Sequence, residues 1–107
     1  MGVVAIAAEL AEALRAQVPA GMVIEGFDVE VGELVELDVA GLRAELAARI
    51  PGAEVAIIRI PGVLRCKDCG AEYPSDEHPC PVCGSGRADL IHGTELGVVR
   101  ARVRPIP

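Results

Sequence analysis

The sequence has no tryptophan, a single phenylalanine at Phe27 and a single tyrosine at Tyr73. Its apolar half is therefore Ala, Val, Leu and Ile, and the core these residues can build is thin and aliphatic. A chain of 107 residues supports one domain's worth of core, with at most a small appendage that has none of its own. A fold of that size gains from a staple, and a bound metal is one of the few available. No run of residues approaches the roughly 20 apolar positions that span a bilayer. Glu9, Glu12 and Arg15 interrupt the apolar N-terminus too early for a secretory signal. These absences lead to the expectation of a cytoplasmic protein that does not engage a membrane.

Basic charge is scarce in the first half. Residues 1 to 50 carry three basic and nine acidic side chains, and residues 51 to 107 carry seven of each, so the net charge of −6 belongs to the first half. Nucleic-acid binding draws on basic groups that displace counterions from phosphates, so this balance argues against a nucleic-acid partner. Also missing are a Ser/His/Asp set, a phosphate-binding loop and an open metal position, and the expectation is a protein that is not an enzyme.

What is present begins with helical periodicity. Ile6, Leu10 and Leu14 recur at intervals of four within residues 3 to 18, with Val3 and Ala7 beside them, and Pro19 and Gly21 end the pattern. The period changes to two at Phe27, Val29 and Val31, which alternate with Asp28 and Glu30 as a strand with one wet face does. Asp38 is placed to cap a second helix with Leu42, Leu46 and Ile50 on one side, closed by Pro51-Gly52. Residues 54 to 60 are β-branched and nearly continuous, which predicts an inner strand. Residues 95 to 104 alternate again, with Val99, Ala101 and Val103 opposite Arg100, Arg102 and Arg104. The arginine row reads as the wet face of a strand, set against Asp28 and Glu30. The predicted class is α+β: a small mixed β-sheet with two helices on one face and an inserted four-cysteine zinc ribbon. Residues 1–62 and 93–107 form the helix-sheet domain in this reading, and residues 63–92 the zinc ribbon.

The four cysteines carry the chemistry. They form two C-x-x-C-G knuckles, Cys66 to Gly70 and Cys80 to Gly84, separated by the ten residues from Gly70 to Pro79. Two intervening residues let one tight turn present both sulfurs to the same ion, and the following glycine supplies a positive φ. Cys66, Cys69, Cys80 and Cys83 are thus predicted to hold one structural zinc in a closed tetrahedron. Disulfides suit a reducing compartment poorly, a redox pair would open a helix, and iron in a rubredoxin-like site is the other tetrahedral option. His78 lies two residues before Cys80 and is the candidate to replace a thiolate, with a solvated loop position as the plainer reading. His92, before Gly93, reads as a turn residue near the start of the last strand.

With the knuckles in place, the sequence resembles the HypA/HybF family of nickel-insertion proteins in hydrogenase and urease maturation. The resemblance rests on the opening helix, on Val31-Gly32-Glu33-Leu34 closing the first strand, on the two knuckles with Ser85 after the second, and on Gly93-Thr94-Glu95-Leu96 before the last strand. It implies a zinc domain beside a small helix-sheet domain, nickel as cargo, and protein partners, namely a GTPase and the hydrogenase large subunit. Family members begin Met-His-Glu and take nickel with that histidine. Here Gly2 and Val3 follow Met1, neither has a side chain that can ligate a metal, and the nickel-binding residues are unknown, with the N-terminal amine and backbone amides as the donors left. Three readings result: a nickel-insertion accessory protein, a relative that has lost nickel and acts as a zinc-stabilised protein-binding scaffold, or a zinc-ribbon nucleic-acid module, which the acidic first half disfavours.

Overall fold

A computed structural model describes residues 2–107. The elements run α1 (Val3–Gln17), β1 (Met22–Gly32), α2 (Val39–Arg49), β2 (Glu54–Ile60), β3 (Val63–Cys66), β4 (Glu72–Pro74), β5 (Ala88–His92) and β6 (Leu96–Pro105), with a 3-10 turn at Ser75–Glu77. The strands form two three-stranded sheets, ordered β2-β1-β6 and β4-β3-β5, so β2 is an edge strand with half-buried side chains and not the inner strand its β-branched run predicts; the inner place goes to β1. The α+β class holds, and the ribbon brings a sheet of its own. No helix among the described residues is long and apolar enough to cross a membrane.

The chain divides into two compact units. The first comprises the chain up to Glu30, Glu36–Ile58 and Gly97–Pro107; the second comprises Val31–Val35 and Arg59–Leu96. In the first unit α1 and α2 pack together. Helix α1 buries Ile6, Ala7, Ala11 and Leu14, so the two alanines admit close helix contact and Leu10 moves to the half-buried flank. Helix α2 starts at Asp38, whose carboxylate accepts the Gly41 N–H at 3.0 Å, and buries Leu42 and Leu46. That bond satisfies one of the orphan donors of the first turn. Strand β1 is longer than the alternating stretch, and it seals Phe27 and Val29 completely.

The arginine row of β6 is paired along β1. Arg100 and Arg102 both reach the Asp28 carboxylate, at 3.3 and 3.2 Å, and Arg104 reaches Glu25 at 3.0 Å. The partner of Arg104 is thus Glu25 and not Glu30.

The second unit extends past residues 63–92 at both ends because backbone pairing demands it. Gly32 N–H donates to the Glu95 carbonyl at 2.7 Å, Glu33 N–H to Ile60 at 2.8 Å and Leu34 N–H to Gly93 at 2.9 Å. Strand β3 pairs antiparallel with β4, Leu64 opposite Tyr73, and with β5, Cys66 opposite Ala88. His92 closes β5 opposite Val63, so it is a strand residue and not a turn residue.

Candidate metal centre

Cys66 is the last residue of β3, so the central strand of the small sheet delivers the first cysteine of the cluster. The two knuckles then repeat one hydrogen-bond pattern. Gly70 N–H returns to the Cys66 carbonyl at 3.0 Å and Gly84 N–H to the Cys80 carbonyl at 2.8 Å. Cys66 N–H donates to Ala71 at 2.8 Å, and Cys80 N–H to Ser85 at 3.0 Å. Gly70 and Gly84 sit at φ of 78° and 76°, in the left-handed region. A Cβ at either would meet nothing within 4 Å, so the backbone conformation and not space requires glycine there.

The turns bring the four sulfurs to within 4.8 Å of one another. Across the knuckles, Cys66 Sγ lies 3.5 Å from Cys83 Sγ, and Cys69 Sγ lies 3.6 Å from Cys80 Sγ. A disulfide would hold its sulfurs about 2 Å apart. Four thiolates around zinc at about 2.3 Å place sulfurs about 3.8 Å from each other, close to the separations seen. The cysteines are free, with Cys66 and Cys80 buried and Cys69 and Cys83 exposed. The donor set therefore fits a tetrahedral thiophilic ion.

The electrostatics fit the same ion. The Cys69 N–H, 3.5 Å from Cys66 Sγ, and the Asp68 N–H, at 3.4 Å, favour the thiolate of Cys66. The Cys69 donor acts most strongly and lowers the Cys66 thiol to about 6, against the opposing effect of burial. The Cys83 N–H, followed by that of Val82, lowers Cys80 in the same way. The other two cysteines move upward. At Cys83 the Ser85 N–H favours the thiolate, but the Cys66 sulfur, burial and the remaining sulfurs push the thiol up to about 12. At Cys69 the Ala71 N–H is likewise outweighed by burial and the Cys80 and Cys66 sulfurs. One sulfur of each knuckle is thus prepared as a thiolate, and crowding of negative charge holds back the other. A divalent cation removes that penalty for all four at once.

Tyr73 forms the apolar floor. It is buried with Cys66 and Cys80, and Leu64, Ala71 and Ala88 pack against them. Burial, with smaller contributions from the cysteine sulfurs, raises its phenol above the ordinary value. Its hydroxyl lies 2.9 Å from His78 Nδ1, and the two rings are nearly parallel, 13° apart, with centroids separated by 6.1 Å. His78 is therefore engaged by Tyr73 and does not join the sulfur cluster. His92 pairs with Glu95 at 3.0 Å, and Glu95 also accepts the Gly93 N–H at 2.7 Å. Bound by these partners, Glu95 titrates below its ordinary value, first through the Gly93 N–H and then through His92. Sequence reasoning missed Tyr73 as the floor. The signal available was a lone aromatic between two knuckles.

Gly2 stands at the N-cap of α1, and the Ile6 N–H donates to its carbonyl at 3.1 Å. Met1 and its terminal amine lie outside the described residues. Among the described residues the four cysteines are the only cluster of three or more ligand-type side chains.

Three comparisons bear on this geometry. The family model described as hydrogenase/urease nickel incorporation, metallochaperone, hypA, matches residues 1–103. The hydrogenase maturation factor HypA of Chlorobaculum tepidum is 35% identical over 102 residues, covering 87% of this chain and 90% of the relative. That of Desulfosudis oleivorans is 28% identical over 109 residues, covering 92% and 95%. In three dimensions the chain is similar to the solution structure of the Ni metallochaperone HypA from Helicobacter pylori. The TM-score is 0.66 at 19% identity, over 99% of this chain and all of the other, which speaks to the fold.

Proposed function

Because the chain belongs to the HypA family of hydrogenase/urease nickel-incorporation metallochaperones, we propose that it is an accessory protein for nickel insertion into hydrogenase or urease. The carrying observation is the match over residues 1–103, which takes in the four-cysteine cluster. In this reading the protein is a maturation factor that hands over a metal and does not catalyse a reaction. Cys66, Cys69, Cys80 and Cys83 hold a resident zinc ion. A closed four-thiolate site stabilises its surroundings and leaves no position for substrate. The unit around it is the zinc domain and the unit with both helices is the nickel-handling domain. Its partners are the nickel enzyme's large subunit and the GTPase of the same maturation route, in the cytoplasm. Deleting the chain from its host should lower nickel-enzyme activity, and the wild-type chain should restore it. Unchanged activity in the deletion strain would sink the proposal.

A second reading is favoured by one observation: Gly2 and Val3 occupy the positions of the family's His-Glu and supply no side-chain donor. Planar Ni(II) sites need several nitrogen donors converging from one short segment, and an imidazole anchors the set. Zinc-loaded protein should bind nickel at least tenfold more weakly than a Gly2→His, Val3→Glu variant, a difference of about 1.4 kcal/mol or more. That result supports a zinc-stabilised scaffold that brings partners together without carrying nickel. Equal affinities in calorimetric titration would discard the scaffold reading.

A further inference from the structure

Each knuckle closes on itself through its own backbone bonds, and those bonds cannot decide how the two knuckles face each other. Four sulfurs converge only if that mutual register is right. Four residues bridge the gap, Lys67 and Asp68 from one side and Ser85 and Arg87 from the other. Lys67 N–H, in the first knuckle, donates to the Arg87 carbonyl at 3.0 Å. The Asp68 carboxylate, also in the first knuckle, accepts the Ser85 hydroxyl through Oδ2 and lies 3.3 Å from Arg87 Nη1 through Oδ1. Ser85 Oγ in turn accepts the Arg87 N–H at 3.1 Å, while the Ser85 carbonyl accepts the Cys80 N–H of the second knuckle at 3.0 Å. Ser85 therefore touches both knuckles, one through its hydroxyl and one through its backbone.

We propose that Asp68 and Ser85 are positioning residues of the metal centre, a clamp that fixes the two knuckles in ligand-ready register. The proposal rests on the zinc reading of the four cysteines. Its chemistry is that of outer-shell partners, which orient ligands without touching the ion. The hydroxyl-to-carboxylate bond is charge-assisted and stronger than a neutral one. The Arg87 ion pair is solvent-exposed on both sides, and such pairs contribute little. The Ser85–Asp68 contact is also exposed, but it is a short-armed hydrogen bond that joins the two knuckles directly, so it is the clamp and the long Arg87 side chain a minor member. Electrostatics alone would not place a carboxylate here, between two ligands of a site that holds four thiolates and one divalent cation. Geometry gives Asp68 its purpose.

The test is zinc affinity of the full chain, read by competition with a chromophoric chelator, together with the absorption of the cobalt-substituted protein. Ser85→Ala and Asp68→Ala should each weaken zinc binding by about 10- to 100-fold, the range for lost outer-shell partners. Ser85→Thr, which keeps the hydroxyl, should recover most of the loss, and Asp68→Asn, which keeps an acceptor without its charge, should recover part of it. Arg87→Ala should stay close to wild type. Cobalt bands of the alanine variants should keep the tetrahedral thiolate signature, since the ligands are unchanged. Alanine variants that match wild-type affinity overturn the clamp and leave the zinc reading standing, as does a failure of Ser85→Thr and Asp68→Asn to rescue. Wild-type protein that takes up no zinc overturns the zinc reading itself.

Discussion

Gly32 packs against the carbonyl of Gly93, so close that a Cβ on Gly32 would overlap that group. Leu34 N–H donates to the same carbonyl, and Gly32 N–H to that of Glu95. The stretch 31–34 and the stretch 93–96, some sixty residues apart in the chain, are thus two sides of one backbone contact. Gly32→Ala should destabilise the protein by about 1–3 kcal/mol, as overpacking against an immobile group does. The obstacle is backbone and cannot swing aside. Denaturant unfolding measures it, and a midpoint equal to wild type would show that the contact yields.

Zinc content is the next expectation. Native protein should carry one zinc per chain at Zn–S of about 2.3 Å by X-ray absorption. Cys66→Ala should lose it, because the remaining sulfurs cannot close the tetrahedron. Full occupancy by iron, or paired disulfides in the native protein, would refute the assignment.

Removal of the metal should affect the two units unequally. Every α-helical residue belongs to the first unit, whose core includes Phe27, Leu42 and Leu46 at no exposure. The core around the sulfurs consists of Cys66, Tyr73 and Cys80, and two of those three are themselves ligands in the zinc reading. Its folding free energy should come largely from the ion. Chelation should leave most of the far-UV helical signal while amide protection in β3, β4 and β5 collapses. Loss of all helix would show that the units fold together.

Acid should find Glu95. Folding lowers its carboxyl through the Gly93 N–H and then His92, so the contribution of the charged form is complete above the ordinary 4.5. It is lost as pH falls through the depressed folded value. The stability difference between wild type and Glu95→Gln should be constant near neutrality and shrink below 4.5. Denaturant midpoints across the acid range report it. A difference that stays constant down to acid unfolding would rule out this role for Glu95.

The parts of the fold legible in the sequence are those whose signal is local. Asp38 with Leu42 and Leu46 announces α2, residues 54–60 announce β2, and two C-x-x-C-G turns announce the sulfur cluster. Met22–Glu25 does not alternate in the sequence, so the first part of β1 was invisible. The strands β3, β4 and β5 are three to five residues long. Runs that short display no period and exist because partners hold them. Ser85 and Asp68 are separated by 17 positions, and only the folded register shows that they meet. The same holds for His78 and Tyr73: their sequence positions give no hint that the tyrosine, and not a metal, occupies the imidazole.

Tyr73 has one more property. The chain has no tryptophan, and this is its one tyrosine, buried with Cys66 and Cys80 in the small core. While the helical unit carries only the far weaker emitter Phe27, the Tyr73 phenol is the one strong ultraviolet fluorophore of the chain, set in the core around the sulfurs. Its emission is a built-in optical gauge of one half of the molecule, readable without any label and silent about the other half.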